Sequence, residues 1–204
     1  VDDFSLEARL RDLEAIVAAT GYERFSLLGM SGGSPVALAY AAAHPDRVDR
    51  LIMYGGSAVG SYDSTPSDAE LAFRAMIRAG WAQEDSEFRR FFTNRFIPGA
   101  TEEQLGWFDE LQRMSTSTEN AVVSRIARWG VNVLERLPRI TAPTLVLHAR
   151  GDVVAPVAEG HILAAGIPGA QFIELDSKNH ILLENEPAWE RFCDEVLEFT
   201  GLKR

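Results

Sequence analysis

The chain has 204 residues, 46% of them apolar, and a formal net charge of −10 at pH 7, enough for one substantial core with room for an inserted subdomain. The acidic balance argues against a nucleic-acid or anionic-membrane surface, because phosphate binding needs clustered Lys and Arg. A single cysteine, Cys193, allows no internal disulfide, no run of 18 apolar residues offers a membrane span, and no charged-then-apolar leader opens the chain, so a cytoplasmic protein is expected.

In chain order, Leu6, Leu10, Leu13 and Val17 recur at i, i+4, i+7 and i+11, one face of an amphipathic helix, with Ser5 as its start signal and Gly21 as its stop. The apolar run from Phe25 to Leu28 reads as a strand, Pro35 to Ala43 as a helix, and Arg50 to Tyr54 as a second strand ended by Gly55-Gly56. This alternation predicts a parallel sheet with flanking helices, an α/β fold.

From Ser57 to Leu137 the strand-like runs vanish and helical periodicity takes over. Ser67 with Glu70, and Thr101 with Gln104, have the spacing of reciprocal capping boxes. Phe88, Phe91, Phe92 and Phe96 form one apolar stripe, and Val122, Ile126, Trp129 and Val133 another. Residues 58–137 are therefore expected to form a helical cap inserted between core segments 1–57 and 138–204. Most of its aromatic side chains should pack the cap upon itself, a few lining a pocket, whereas Trp81 and Trp107 fall outside both stripes. Strand character returns at Pro143 to His148, followed by a helix near Ala158 to Ala165, a last strand from Gln171 to Leu175, and a final helix from Pro187 to Phe199. Cys193 shares the apolar stripe of Trp189, Phe192, Val196 and Leu197 and is expected in the core.

The segment Gly29-Met30-Ser31-Gly32-Gly33 joins the first strand to its helix. Such a turn exposes a serine at a strained backbone position, and small residues two before and two after it are expected where strand and helix nearly touch. A Gly/Ser turn without chemistry is the plainer alternative. Asp152 follows the strand ending at His148, and His180 follows the last strand, so the order is Ser31, Asp152, His180. Taken singly, Asp152 reads equally as a turn residue and His180 as an ordinary loop histidine. His44, His148 and His161 are weaker candidates, and none has metal-ligand spacing with a cysteine.

At these residues, and over its length, the chain resembles the α/β-hydrolase superfamily, in its capped branch with a serine nucleophile. The resemblance implies Ser31 as nucleophile, His180 as base and Asp152 as orienting acid, with the Gly32 amide donating to an oxyanion. It implies no organic or metal cofactor, and the expected substrate is a small neutral or apolar acyl compound, such as a carboxylic ester. In that family four strands and a helix precede the helix that opens this chain. The chain is therefore expected to be a fragment of a longer protein, or to have its first strand's edge completed by an N-terminal partner or second copy. The elbow and cap also resemble bacterial hydrolase-like domains fused to transcriptional regulators or nucleotide cyclases, which implies a slow or non-catalytic ligand sensor as the alternative.

Overall fold

The computed structural model describes residues 3–63, 65–84 and 86–203. The opening helix α1 (Leu6–Thr20) begins at Ser5, whose hydroxyl accepts from the Ala8 amide, and stops at Gly21 with φ 71°, a left-handed stop that glycine adopts without a side-chain clash. Strand β1 (Phe25–Met30) runs through the turn Ser31–Gly33 into α2 (Ser34–Ala43), and β2 (Val48–Tyr54) follows. After four helices come β3 (Thr144–Ala149), a helix at Val157–Gly166, β4 (Gln171–Leu175) and a last helix at Pro187–Thr200. The described strands form one parallel sheet in the order β1-β2-β3-β4, with β1 at an edge.

Because successive strand residues face opposite sides, the sheet carries two cores. Leu51, Met53 and Val146 pack with α2 and the apolar face of α1, Val17 among its residues. Ile52, Tyr54, Leu145 and Leu147 face the other way, against Ala188, Phe192 and Val196 of the last helix. On the edge strand β1, Met30 packs against this second core, whereas Leu28 remains 52% exposed. Cys193, expected in the core, is only half-buried, since the sheet takes Phe192 and Val196 from neighbouring positions of the stripe.

The four intervening helices are α3 (Asp68–Gly80), α4 (Glu87–Phe96), α5 (Glu102–Ser115) and α6 (Thr118–Trp129). The chain leaves and re-enters the core through one neck, where Val59 bridges Asn132 antiparallel and the Val133 amide donates to Ala58 O at 2.9 Å. The expected boundary after Leu137 falls inside the short helical turn Leu134–Arg139, and Leu137 is buried in the core beneath the sheet. Val133 likewise leaves the stripe assigned to it, because α6 ends at Trp129 and the neck delivers Val133 to the core. No described helix is long and apolar enough to cross a membrane. The remaining helices are α7 (Val157–Gly166) and α8 (Pro187–Thr200).

Candidate active site

All four strands point their C-terminal ends one way, and the three loops that carry Ser31, Asp152 and His180 gather there, as loops at the carboxyl edge of a parallel sheet do. Ser31 follows Met30, the residue paired with Tyr54 of β2. Its φ is 48°, and it is the non-glycine residue with positive φ among those described. A backbone held there costs on the order of 1–3 kcal/mol, and the reason this strand-to-helix turn can be so sharp lies in its neighbours. A β-carbon on Gly29 would stand 2.7 Å from Ala37 Cβ on α2 and 3.0 Å from Met53 Cε on β2. Gly33 departs from expectation: its β-carbon position is open, with φ −80° in the ordinary helical region. The second close approach is made instead by Gly56, whose β-carbon would overlap the Ser34 hydroxyl.

Asp152 sits in the turn after β3 with its carboxylate fully buried. One oxygen, Oδ1, accepts from the amides of Val154 and Ala155 at 2.7 and 3.0 Å, which fixes the carboxylate against the acid loop. The other, Oδ2, lies 2.6 Å from His180 Nδ1, and His180 Nε2 lies 2.7 Å from Ser31 Oγ. A carboxylate only accepts, so Nδ1 carries the proton and Nε2 presents a lone pair to the serine hydroxyl. His180 is 1% exposed. The three candidates thus form one hydrogen-bonded chain, able to withdraw the Ser31 proton and return it to a leaving group. Gly32 follows Ser31 in the first turn before α2, where amides lack intrahelical acceptors.

The weaker histidines separate. His44 contacts the Glu14 carboxylate at 3.2 Å and the Tyr40 ring, and His161 lies against Phe172. His148 is fully buried behind the acid loop. Its Nε2 donates to Ala155 O at 2.7 Å and stands 3.7 Å from Asp152 Oδ2, while its Nδ1 has no partner among the described residues. Burial pushes the His148 pKa below the ordinary imidazole value, against smaller opposing effects of the Ala155 carbonyl and Asp152.

Beside this chain, between sheet and cap, lies a cavity of about 870 Å³. Its walls include Phe73, Trp81, Phe91, Phe96 and Trp129 from the cap, so several cap aromatics serve the cavity; Trp107 is 66% exposed and points elsewhere. Ser31 and His180 are not among its lining residues. Phe96 and Arg128 connect the two places. Phe96 lines the cavity and packs edge-on against the His180 ring at 5.3 Å, and Arg128 lines it within 4.0 Å of the β-carbon position of Gly32.

Arg128 is one residue that sequence reasoning missed. Among the described residues it has no hydrogen bond or ion pair, and burial, followed by the nearby Arg125, pushes its pKa below the usual guanidinium value. No local signal singles it out, since Arg125 on the same helix also lacks a carboxylate three or four positions away and is nevertheless paired. Its neighbour Arg125 is engaged by Glu70 at 2.6 Å, and Arg74 Nε also reaches that carboxylate at 2.8 Å. Burial raises the Glu70 pKa, but the two guanidinium groups outweigh it and hold the carboxyl below its usual range. Glu70 therefore does not return the expected capping-box bond: Ser67 caps α3 alone, whereas Thr101 and Gln104 make the full reciprocal pair at α5.

A family model describing the alpha/beta hydrolase fold matches residues 2–187. A 2-hydroxy-6-oxononadienedioate/2-hydroxy-6-oxononatrienedioate hydrolase from a Pseudomonas species is 28% identical over 163 residues, covering 78% of this chain and 57% of that protein. The enzyme of the same name from Cupriavidus pinatubonensis is 30% identical over 196 residues, 94% of this chain and 67% of its own length. The chain thus spans between 57% and 67% of these two curated relatives. Among solved structures, a hydrolase from Pseudomonas aeruginosa superposes with a TM-score of 0.78 at 26% identity, over 97% of this chain and 72% of that one.

Proposed function

This chain belongs to the α/β-hydrolase family, and on that premise we propose that it is a serine hydrolase whose nucleophile, base and acid are Ser31, His180 and Asp152. The observation that carries this reading is the unbroken chain from Ser31 Oγ through the imidazole to the buried Asp152 carboxylate, at 2.7 and 2.6 Å. Ser31 Oγ attacks the substrate carbonyl as His180 Nε2 takes its proton, and Asp152 stabilises the imidazolium. The Gly32 amide donates to the oxyanion. The imidazolium then protonates the departing group, and water, activated by the same imidazole, releases the acyl enzyme.

Arg128 amends the expected substrate class. A guanidinium with no partner among the described residues, at the cavity wall beside the elbow, is poorly matched to a neutral or apolar compound, and it offers a planar fork suited to a carboxylate. The names of the similar enzymes denote keto diacids, which agrees with that chemistry. The substrate proposed is an acyl compound carrying a carboxylate, cleaved at an ester or at a carbon–carbon bond next to its keto group, with apolar cap side chains against its body. An assembled proton relay favours turnover over the alternative of a ligand sensor.

The test is hydrolysis of matched acyl substrates, with and without a carboxylate, by the wild-type protein and by Ser31→Ala. Hydrolysis that favours the carboxylate and disappears in the variant supports the proposal. Hydrolysis undiminished in Ser31→Ala, or none by the wild type, contradicts it.

A further inference from the structure

The backbone of His180 is fastened to the cap. Phe96 ends α4, and the last carbonyls of a helix have no intrahelical donor. Its oxygen accepts instead from the amides of both His180 and Ile181, at 2.8 and 3.2 Å. Three residues on, the Gly99 amide donates to Asn179 Oδ1 at 2.8 Å.

Asn179, immediately before His180, is 3% exposed. Its Nδ2 donates to Glu186 Oε1 at 3.1 Å, its amide to Ser177 Oγ at 3.0 Å, and its carbonyl accepts from Tyr54 Oη at 3.3 Å. Glu186 in turn accepts from Ser177 Oγ and the Leu183 amide, both at 2.6 Å. One asparagine thereby joins the cap, strand β2 and the start of α8 at the point where the histidine loop leaves the sheet. Buried polar groups held on every side define one conformation, and loss of a member strands its partners without water.

We propose that Asn179, with the Phe96–Gly99 turn of the cap, is the positioning element for His180, so that the seating of the cap sets the alignment of the imidazole with Ser31. Phe96 extends this linkage to the substrate, because its ring forms part of the cavity wall and rests on the imidazole. A ligand that fills the cavity bears on the residue whose carbonyl holds the histidine backbone. This inference rests on the assignment of His180 as the base.

Two readouts test it. The first is the rate of fluorophosphonate reaction at Ser31 in wild type, Asn179→Ala, Gly99→Ala and the double variant, with His180→Ala as control. A displacement near 1 Å can cost about a hundredfold in rate, so Asn179→Ala is expected to react roughly 10- to 100-fold more slowly. A β-carbon on Gly99 would stand 3.0 Å from Asn179 Nδ2, pushing on the asparagine from the cap side. Gly99→Ala should therefore slow the reaction in wild type but add nothing to Asn179→Ala. The second is the His180 Nδ1 proton resonance, which reads the bond to Asp152 without turnover and should broaden or shift in Asn179→Ala.

Wild-type rate and an unchanged resonance in Asn179→Ala, or full additivity with Gly99→Ala, would overturn the coupling while leaving His180 as base. Equal reaction in His180→Ala and wild type would remove the proposed function instead, and the resonance alone would then decide the coupling.

Discussion

His148 lies against the same Asp152 oxygen that holds His180, its Nε2 3.7 Å from Oδ2. Two imidazoles therefore flank one buried carboxylate. His148 is tied to the acid loop through Ala155 O, and it is buried in the neutral form. A folded-state pKa pushed down by burial means that protonation favours the unfolded chain. The stabilising contribution is present above the ordinary imidazole value of about 6.5 and is lost as pH falls below it. Urea denaturation between about pH 7.5 and 5.5 should show the wild type losing up to about 1.4 kcal/mol per pH unit more than His148→Gln. Parallel pH dependences in the two proteins would show that His148 does not titrate as its burial requires.

The two elbow glycines should respond differently to the same change. Gly29→Ala places a methyl 2.7 Å from Ala37 Cβ, an overpacking expected to cost about 1–3 kcal/mol of stability. Gly33→Ala meets open space at an ordinary helical φ and should change stability by less than about 0.5 kcal/mol. Thermal or urea unfolding of the two variants decides the matter, and equal losses would contradict the packing described.

Much of this architecture could be read from residue order because its determinants are local. The apolar runs at Phe25, Arg50, Pro143 and Gln171 became the four strands, and the Ser31, Asp152 and His180 loops fell at one sheet edge because parallel strands bring every such loop to the same end. The misses needed three dimensions. Nothing local distinguishes Gly33 from Gly56, and only the crossing of α2 with the end of β2 shows which is crowded. Glu70 had the spacing of a capping residue, but Arg125, 55 positions away, claims its carboxylate. Asn179 carries no local signal of its own, and its role shows only where the cap turn at Gly99 donates to its side chain.

Arg128 should decide which acyl compounds are processed. Hydrogen bonds to a charged group contribute about 1.5–3 kcal/mol, so Arg128→Met is expected to reduce the preference for a carboxylate-bearing substrate over its neutral counterpart by roughly 10- to 100-fold in kcat/KM. Steady-state kinetics on the matched pair measure that ratio. An unchanged preference would mean that the guanidinium does not meet the substrate.

The central claim, that the Ser31 hydroxyl is activated by His180, is tested most directly by reacting the protein with a fluorophosphonate and locating the adduct by mass spectrometry, beside Ser31→Ala and His180→Ala. One phosphonyl adduct, on Ser31, absent from Ser31→Ala and strongly slowed in His180→Ala, is the result predicted. An adduct elsewhere, no adduct on Ser31, or labelling of Ser31 at full rate without His180 would contradict it.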